Sequence, residues 1–489
     1  MLNRFFRFNE VDCQLSSRQG GYMLIKLSCK NFRSIGSEPI ALDMIASTKI
    51  KMHENHMRPL GNNAYALRNA AIYGGNAAGK SNIIRILSLM QAAVMNGFIP
   101  QMASQEFCRA GSGFENHESV FELQFEKDGQ VFDYGFSCIL NKLSVQSEWL
   151  YDLGDAPRLL FERFANGSVS LGDDLGAGYN EQEETRLSIY TSDFTGQAKQ
   201  NPSLLFLSAI GRGKSFESGT RLESFARAFN WFAENLLILV AGQPSPTSDF
   251  YRDDTTLDQV AEVLASFDTG VSALAKRFIS LDELNKRLDP SLLAMIRNLM
   301  TQSTQNNLKN SYLITARTGK EFVGIESSGG SEPQASLLEI QHSGSRSLFD
   351  FGDESDGTQR LFDFMDILFS KKADATFVVD EIDRSLHPML TQQLIDLFNK
   401  SHVNDTCQLV FTTHESAIMS FDYLRKDEIW FIDRNEIGTS HLYSLDDFAQ
   451  VGKVRTDSRI DKQYLEGRYG GVPCLSSVRA LAALNQKEA

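Results

Sequence analysis

From Met23 the chain settles into a period of two. In "MLIKLSCKNFRSI" the apolar Leu24, Leu27 and Cys29 recur among polar neighbours, which predicts a half-buried strand. "NAAIYGGNAAGKSNIIRILSLMQAAV" then reads as a short apolar strand, a glycine-rich turn and an amphipathic helix. "SVFELQFEKDGQVFDYGFSCIL" alternates on both sides of Asp128-Gly129, the signal of a β-hairpin, and "SEWLYDL" and "RLLFERF" continue as strands of an antiparallel sheet. The period changes in the middle third. Arg221–Val240, Leu257–Phe278 and Leu281–Met300 are expected to be helical, making 166–305 a mostly helical insertion. The pattern returns to strand–helix alternation in "ATFVVDEID", "HPMLTQQLIDLFNK", "CQLVFTTHE" and "DEIWFIDR", which predicts parallel strands in an α/β layer. The expected division is an appendage or premature start at 1–22, a first lobe at 23–165, the insertion, a second lobe at 306–452 and a tail at 453–489.

Composition narrows the class. The 489 residues are 42% apolar and 22% charged, as in ordinary globular proteins. The longest apolar run, "LLILVA" at Leu236–Ala241, is too short to cross a bilayer, so no membrane role and a cytoplasmic location are expected. The six cysteines show no CxxC pair, which argues against a zinc site and suits a reducing compartment. A net charge of −14 disfavours broad phosphate gripping and leaves nucleic-acid binding open.

Two motifs carry chemistry. "GGNAAGKS" fits G-x-x-x-x-G-K-[ST] through Gly74, Gly79, Lys80 and Ser81. Glycines let the backbone of Gly74, Gly75, Asn76, Ala77, Ala78 and Gly79 curl so that its N–H groups face an anion at a helix N-terminus, with Asn82 in the first turn. Lys80 would reach the β- and γ-phosphates of ATP, and Ser81 would take Mg²⁺. "ATFVVDEID" buries Phe377–Val379 and delivers two carboxylates to a strand's C-terminal end. Asp380 would hold Mg²⁺ through water, and Glu381 would act as general base on the attacking water. Asp380 lies 300 positions after Lys80, so the sheet must close around a large insertion.

That spacing resembles ATPase heads of the ABC, SMC and Rad50 type, and the resemblance implies the rest. It makes "ESDGTQR" a signature turn whose Ser355 and Gly357 meet the γ-phosphate held by a second copy of the chain. Asp356 and Thr358 depart from the signature pattern, and the local alternative is that Ser355 simply caps the following helix. The same resemblance makes His414 a switch histidine, places Asp383–Pro388 at the dimer seam and brings Arg33 toward the nucleotide; Gln124 is a candidate for the glutamine of the Q-loop. Through "LIKLSCKNFRSI", "GGNAAGKSN", "ESDGTQRLF", "VVDEIDRSLHP", "TTHES" and "KQYLEGRYGGVP", the chain is similar to the AAA15 group, relatives of OLD-family heads. Its size and layout look most like the ATPases of PARIS-type antiphage systems, with Septu- and retron-associated ATPases or an SMC-like DNA-repair ATPase as alternatives. The resemblance implies an ATP-hydrolysing sensor or scaffold that works with a separate TOPRIM-type nuclease and a phage-encoded trigger. The 75 residues after His414 contain no D-x-D, so no nuclease activity of its own is expected.

Overall fold

The computed structural model describes residues 21, 23–61, 64–154, 156–173, 181–214, 216, 220, 222–243, 248–290, 292–294, 296–297, 312–318, 320–327, 332–451 and 459–472. The segment 1–22, apart from Gly21, and the tail beyond 472 lie outside them. The fold is α/β, with mixed and antiparallel sheets, and it divides into two compact units. One comprises Met1–Ile238, Asp374–Ile382 and Val403–Ala489; the other comprises Leu239–Ala373 and Asp383–His402. These borders cut across the lobes expected from sequence at 165, 305 and 452.

The first unit holds a six-stranded sheet in the order Leu236–Leu239, Thr376–Val379, Gln408–Thr412, Asn69–Tyr73, Ile429–Arg434 and Ser440–Ser444. Thr376–Val379, Gln408–Thr412, Asn69–Tyr73 and Ile429–Arg434 run parallel, and Ser440–Ser444 returns antiparallel. Every residue of "TFVV", "QLVFT" and "NAAIY" is buried, as strands covered on both faces require. One amide stitches this layer together. Gln408 accepts from Leu24 N (2.6 Å) and Thr376 Oγ1 (3.1 Å) and donates to the carbonyls of Leu24 and Leu67. A buried amide with all these partners made is inexpensive, whereas a hydrophobic replacement would orphan several backbone groups.

The same unit holds a seven-stranded antiparallel sheet, ordered Val169–Leu171, Arg158–Phe164, Ser144–Asp152, Gln130–Ile139, Ser119–Lys127, Leu24–Lys30 and Ile40–Asp43. Its hairpin turns at Asp128 (φ 54°) and Gly129 (φ 76°), the paired left-handed conformations that Asp-Gly adopts readily. Phe121, Phe125, Phe132 and Phe136 pack with Ile83, Leu87 and Met90 of the Lys80–Asn96 helix, and Phe125 stacks on Trp231 at 4.5 Å. Inside that core, Glu148 accepts from Phe206 N, Leu207 N and Tyr134 Oη, and burial pushes its carboxyl up to about 7.

The second unit contains the sheet Val271–Ile279, Gln334–His342, Phe322–Ser327 and Tyr312–Arg317, with Leu348–Asp350 also paired to Gln334–His342. Helices Asp254–Ser266, Leu281–Arg287, Asp356–Leu368 and Pro388–Ser401 accompany it. Asp363 of the Asp356–Leu368 helix is buried and receives both Arg317 and Arg360.

Three helical expectations are corrected. The helix expected over Leu281–Met300 stops at Arg287, where Leu288 turns extended (ψ 150°). The helix expected over Leu257–Phe278 stops at Ser266, turns through Asp268 (φ 58°) and Gly270 (φ 77°), and becomes the strand Val271–Ile279. Helical φ cannot pass through those two positive values. The helix expected to reach Val240 ends in a single π-turn, Trp231–Asn235, and Leu236–Leu239 joins the edge of the central sheet. Asn235 fixes that exit by donating to the carbonyl and carboxylate of Asp374, both at 3.0 Å. No described helix is long and apolar enough to cross a membrane.

Candidate nucleotide-binding site

The site begins where the buried strand Asn69–Tyr73 ends. The chain turns through 74–79, with Ala77 at φ 61° and Gly79 at φ 116°, and enters the Lys80–Asn96 helix. Two glycines here are forced by close approach. A Cβ on Gly74 would lie 2.5 Å from the Ile432 carbonyl oxygen, and one on Gly79 would lie 2.6 Å from Ser440 Oγ and 2.8 Å from Ser34 Oγ. No side chain caps the helix start. Its first N–H groups therefore face the loop, at the positive end of the helix dipole, as an anion cradle requires.

Lys80 is buried and bends back over this loop. Its ammonium donates to the carbonyls of Gly74 (2.8 Å) and Gly75 (3.1 Å), and His414 Nδ1 lies 3.5 Å away. Asn76 and Ala77, at the loop's tip, are exposed, and Gly75 is half-buried. The Lys80 ammonium and the His414 imidazole thus stand together beside the loop, where phosphate oxygens would be met by a cation and a hydrogen-bonding ring.

The strand Thr376–Val379 brings Asp380 to Ser81. Asp380 Oδ1 accepts from Ser81 Oγ at 3.0 Å and from Thr412 Oγ1 at 2.7 Å. Thr412 Oγ1 in turn accepts from Glu381 N at 2.8 Å, which holds Glu381 in a left-handed conformation (φ 50°). Ser81 hydroxyl and Asp380 carboxylate form a hard-oxygen pair of the kind Mg²⁺ takes alongside water and phosphate, so these residues fit that ion. His414 is exposed beyond Thr413, whose Oγ1 accepts from Glu415 N.

Arg33 is ion-paired with Glu106. Its backbone sits at φ 54° and its Nε lies 2.9 Å from the Glu106 carboxylate; burial, partly offset by Glu106, pulls its pKa down, with Arg85 and Arg109 adding to the fall. The next residue, Ser34, reaches the loop. Its Oγ accepts from Asn82 Nδ2 (2.7 Å) and Ser440 Oγ (2.6 Å), and Ser440 N donates to the Ser34 carbonyl. Ser440 Oγ is also 2.6 Å from the Ala78 carbonyl. Ser34, Ser440 and Thr412 escaped the sequence reading, since a lone serine or threonine on a strand carries no pattern. Gln124 donates to Asp133 Oδ2 within the seven-stranded sheet.

In the other unit Ser355 caps the Asp356–Leu368 helix, accepting from Thr358 N at 3.2 Å and lying 3.0 Å from Thr358 Oγ1. Ser355 and Asp356 are exposed. Gly357 is a glycine for a reason of its own: a Cβ there would lie 2.8 Å from the carbonyl oxygen of Ser385, which has φ 61°. The turn is pinned from behind by Glu354, bonded to His342 Nε2 at 2.6 Å, and by Gln359, which donates to the carbonyls of Phe351 and Glu354. The 383–387 stretch turns through Leu386 N to Asp383 O, and His387 Nδ1 accepts from Met389 N to start the Pro388–Ser401 helix.

No curated protein matches the chain. Two solved structures are similar to it: an SMC head bound to the C-terminal winged-helix domain of ScpA, and the SMC head domain from Thermotoga maritima. The first is 14% identical, covers 86% of this chain and 97% of its own, and has a TM-score of 0.37; the second is 14% identical, covers 86% and 98%, and has a TM-score of 0.35. Residues 308–420 match the protein family described as "AAA domain, putative AbiEii toxin, Type IV TA system".

Proposed function

We propose that the protein is a Mg²⁺-dependent ATPase whose cradle holds ATP and whose Ser355 turn serves a second copy of the chain. The observation that carries the nucleotide reading is the 3.0 Å bond between Ser81 and Asp380, residues from motifs 299 positions apart, at the mouth of a loop already covered by Lys80. Bound Mg²⁺ would neutralise phosphate charge there. Lys80 moves from two backbone carbonyls to the β- and γ-phosphates, exchanging weak acceptors for charged ones. The loop N–H groups fix the triphosphate, Glu381 orients and deprotonates the attacking water, and His414 bonds the terminal phosphate and registers its loss.

The wider role rests on the motif resemblance to the AAA15 group; the family matched at 308–420 is described as a putative AbiEii toxin of a type IV toxin–antitoxin system. We read the chain as the sensor or scaffold ATPase of an antiphage complex, akin to AriA of PARIS, that holds a separate TOPRIM-type nuclease and releases it on a phage-encoded trigger. Pairing of two copies would bring Ser355 and Gly357 of one to the triphosphate held by the other. ATP turnover and particle size are the test. Lys80→Ala should lose nucleotide and turnover together, and Glu381→Gln should retain ATP and the paired state but lose turnover. Equal turnover in all three proteins removes the ATPase reading. Failure of a co-expressed TOPRIM-type nuclease to co-purify removes the scaffold role alone.

A further inference from the structure

We propose that the segment Arg459–Val472 is part of the phosphate loop's own architecture, with Gly471 and Tyr464 acting as positioning residues for Gly74 and, through it, Lys80. The proposal rests on the nucleotide reading above and concerns a stretch to which that reading gives no task.

The segment opens with a short helix, Ile460–Leu465, and curls back through Gly467, Gly470 and Gly471, all with φ between 66° and 79°. The curl closes on itself, because Tyr464 Oη donates to the Gly471 carbonyl at 3.0 Å. It also closes on the central sheet. Gly471 N donates to Asp433 Oδ2 at 3.1 Å, and Tyr443 Oη donates to the Tyr469 carbonyl at 2.8 Å. A Cβ on Gly470 would meet Tyr443 Oη at 2.6 Å, so the curl admits no side chain there.

What the curl touches gives it a purpose. A Cβ built on Gly471 would stand 3.5 Å from the Cα of Gly74 and 3.6 Å from the Ile432 carbonyl oxygen. Gly74 thus has the Ile432 carbonyl where its own side chain would be and Gly471 as a near neighbour. One residue earlier, Tyr73 has its ring 6.0 Å from that of Tyr464, and Phe431 stacks with Tyr464 at 5.6 Å and Tyr469 at 5.5 Å. The carbonyl of Gly74 is the nearer of the two that hold the Lys80 ammonium. A displacement of Gly471 therefore becomes a displacement of Gly74 and of the lysine that must meet the phosphates. Coupling is reciprocal, so nucleotide that fixes Gly74 and Lys80 also stabilises the curl.

The test uses the full chain, MgATP and two variants. Tyr464→Phe keeps the ring and removes the bond to Gly471; the Kd for MgATP should rise about fivefold, the usual worth of one hydrogen bond. At saturating MgATP, kcat should stay within about twofold, the pattern of a residue that acts on binding. Gly471→Val puts a β-branched residue in a left-handed conformation, and the rise should be roughly tenfold or more. MgATP should also slow protease cleavage between 459 and 472 in the wild type, and not in Lys80→Ala. A wild-type Kd for Tyr464→Phe overturns the proposal even if Gly471→Val fails to fold, and so does cleavage indifferent to MgATP in a wild type that binds it. If the wild type and Lys80→Ala bind MgATP alike, the nucleotide reading itself fails instead.

Discussion

The phosphate cradle and the Ser355 turn are both polar turns that open onto helices, and they are built in opposite ways. The cradle is long-range: Gly74 is boxed by Ile432 and Gly471, Gly79 by Ser34 and Ser440, and Ser81 by Asp380. The Ser355 turn is largely local. Its serine bonds a residue three positions on, and its bracing Glu354 and Gln359 lie within a few residues, with His342 and Ser385 the more distant supports. A long-range site loses its function when one distant wall is moved. A local cap loses about its own capping energy and leaves the rest standing.

Gly79→Ala should break the cradle most completely. It adds a methyl group within 2.6–2.8 Å of two serine hydroxyls at φ 116°, and MgATP affinity should fall by about 100-fold or more. Isothermal titration measures it, and retained affinity would mean that the cradle tolerates a wall being moved. Ser355→Ala is the matching change on the other side. Loss of the cap should lower unfolding stability by about 1 kcal/mol and leave MgATP affinity unaltered. Turnover should fall by more than that cap is worth, about 100-fold, if the hydroxyl also stabilises phosphate charge in the transition state. Turnover equal to wild type would reduce Ser355 to a cap.

Ser440→Ala is smaller. It removes the bonds to Ser34 and the Ala78 carbonyl while relieving the crowding at Gly79, so MgATP affinity should fall only about threefold to tenfold. An unchanged Kd would show that the cradle's shape rests on Gly79 alone.

The smallest effect belongs to neither turn. Burial raises Glu148 from an ordinary value of 4.5 to about 7, and it raises Glu122 to about 8, with Asp133 and burial acting together. The folded state therefore binds more protons than the unfolded chain between those values. Stability from these groups is fully present below pH 4.5 and is lost as pH rises toward 7 and 8. Glu148→Gln keeps one acceptor oxygen, enough for Leu207 N and Tyr134 Oη but not for Phe206 N, so it should lower the melting temperature throughout while flattening its decline between pH 5 and about 7. A slope identical to wild type would show that Glu148 is not the titrating group.

Much of this was legible in the chain, for local reasons. Asp128-Gly129 specified its turn because those two residues accept positive φ, and "NAAIY", "TFVV" and "LVFT" announced strands buried on both faces because they lack a polar stripe. The helices mistaken in the middle third were illegible for an equally physical reason. "LLIL" and "VSALAKRFI" have apolar residues that suit either period, and the choice fell to Asn235 gripping Asp374 and to pairing with Gln334–His342.

For the site, the sequence by itself determined which groups are candidates: the glycine loop, Lys80, Ser81, Asp380 and Glu381 by residue type and spacing, and His414 by resemblance. Only the tertiary structure decided which groups meet. It paired Arg33 with Glu106, put Ser34 and Ser440 behind Gly79, and laid Gly471 against Gly74. Those contacts join positions tens to hundreds of residues apart. No local propensity encodes them, because they arise from sheet order and from the space a missing Cβ leaves.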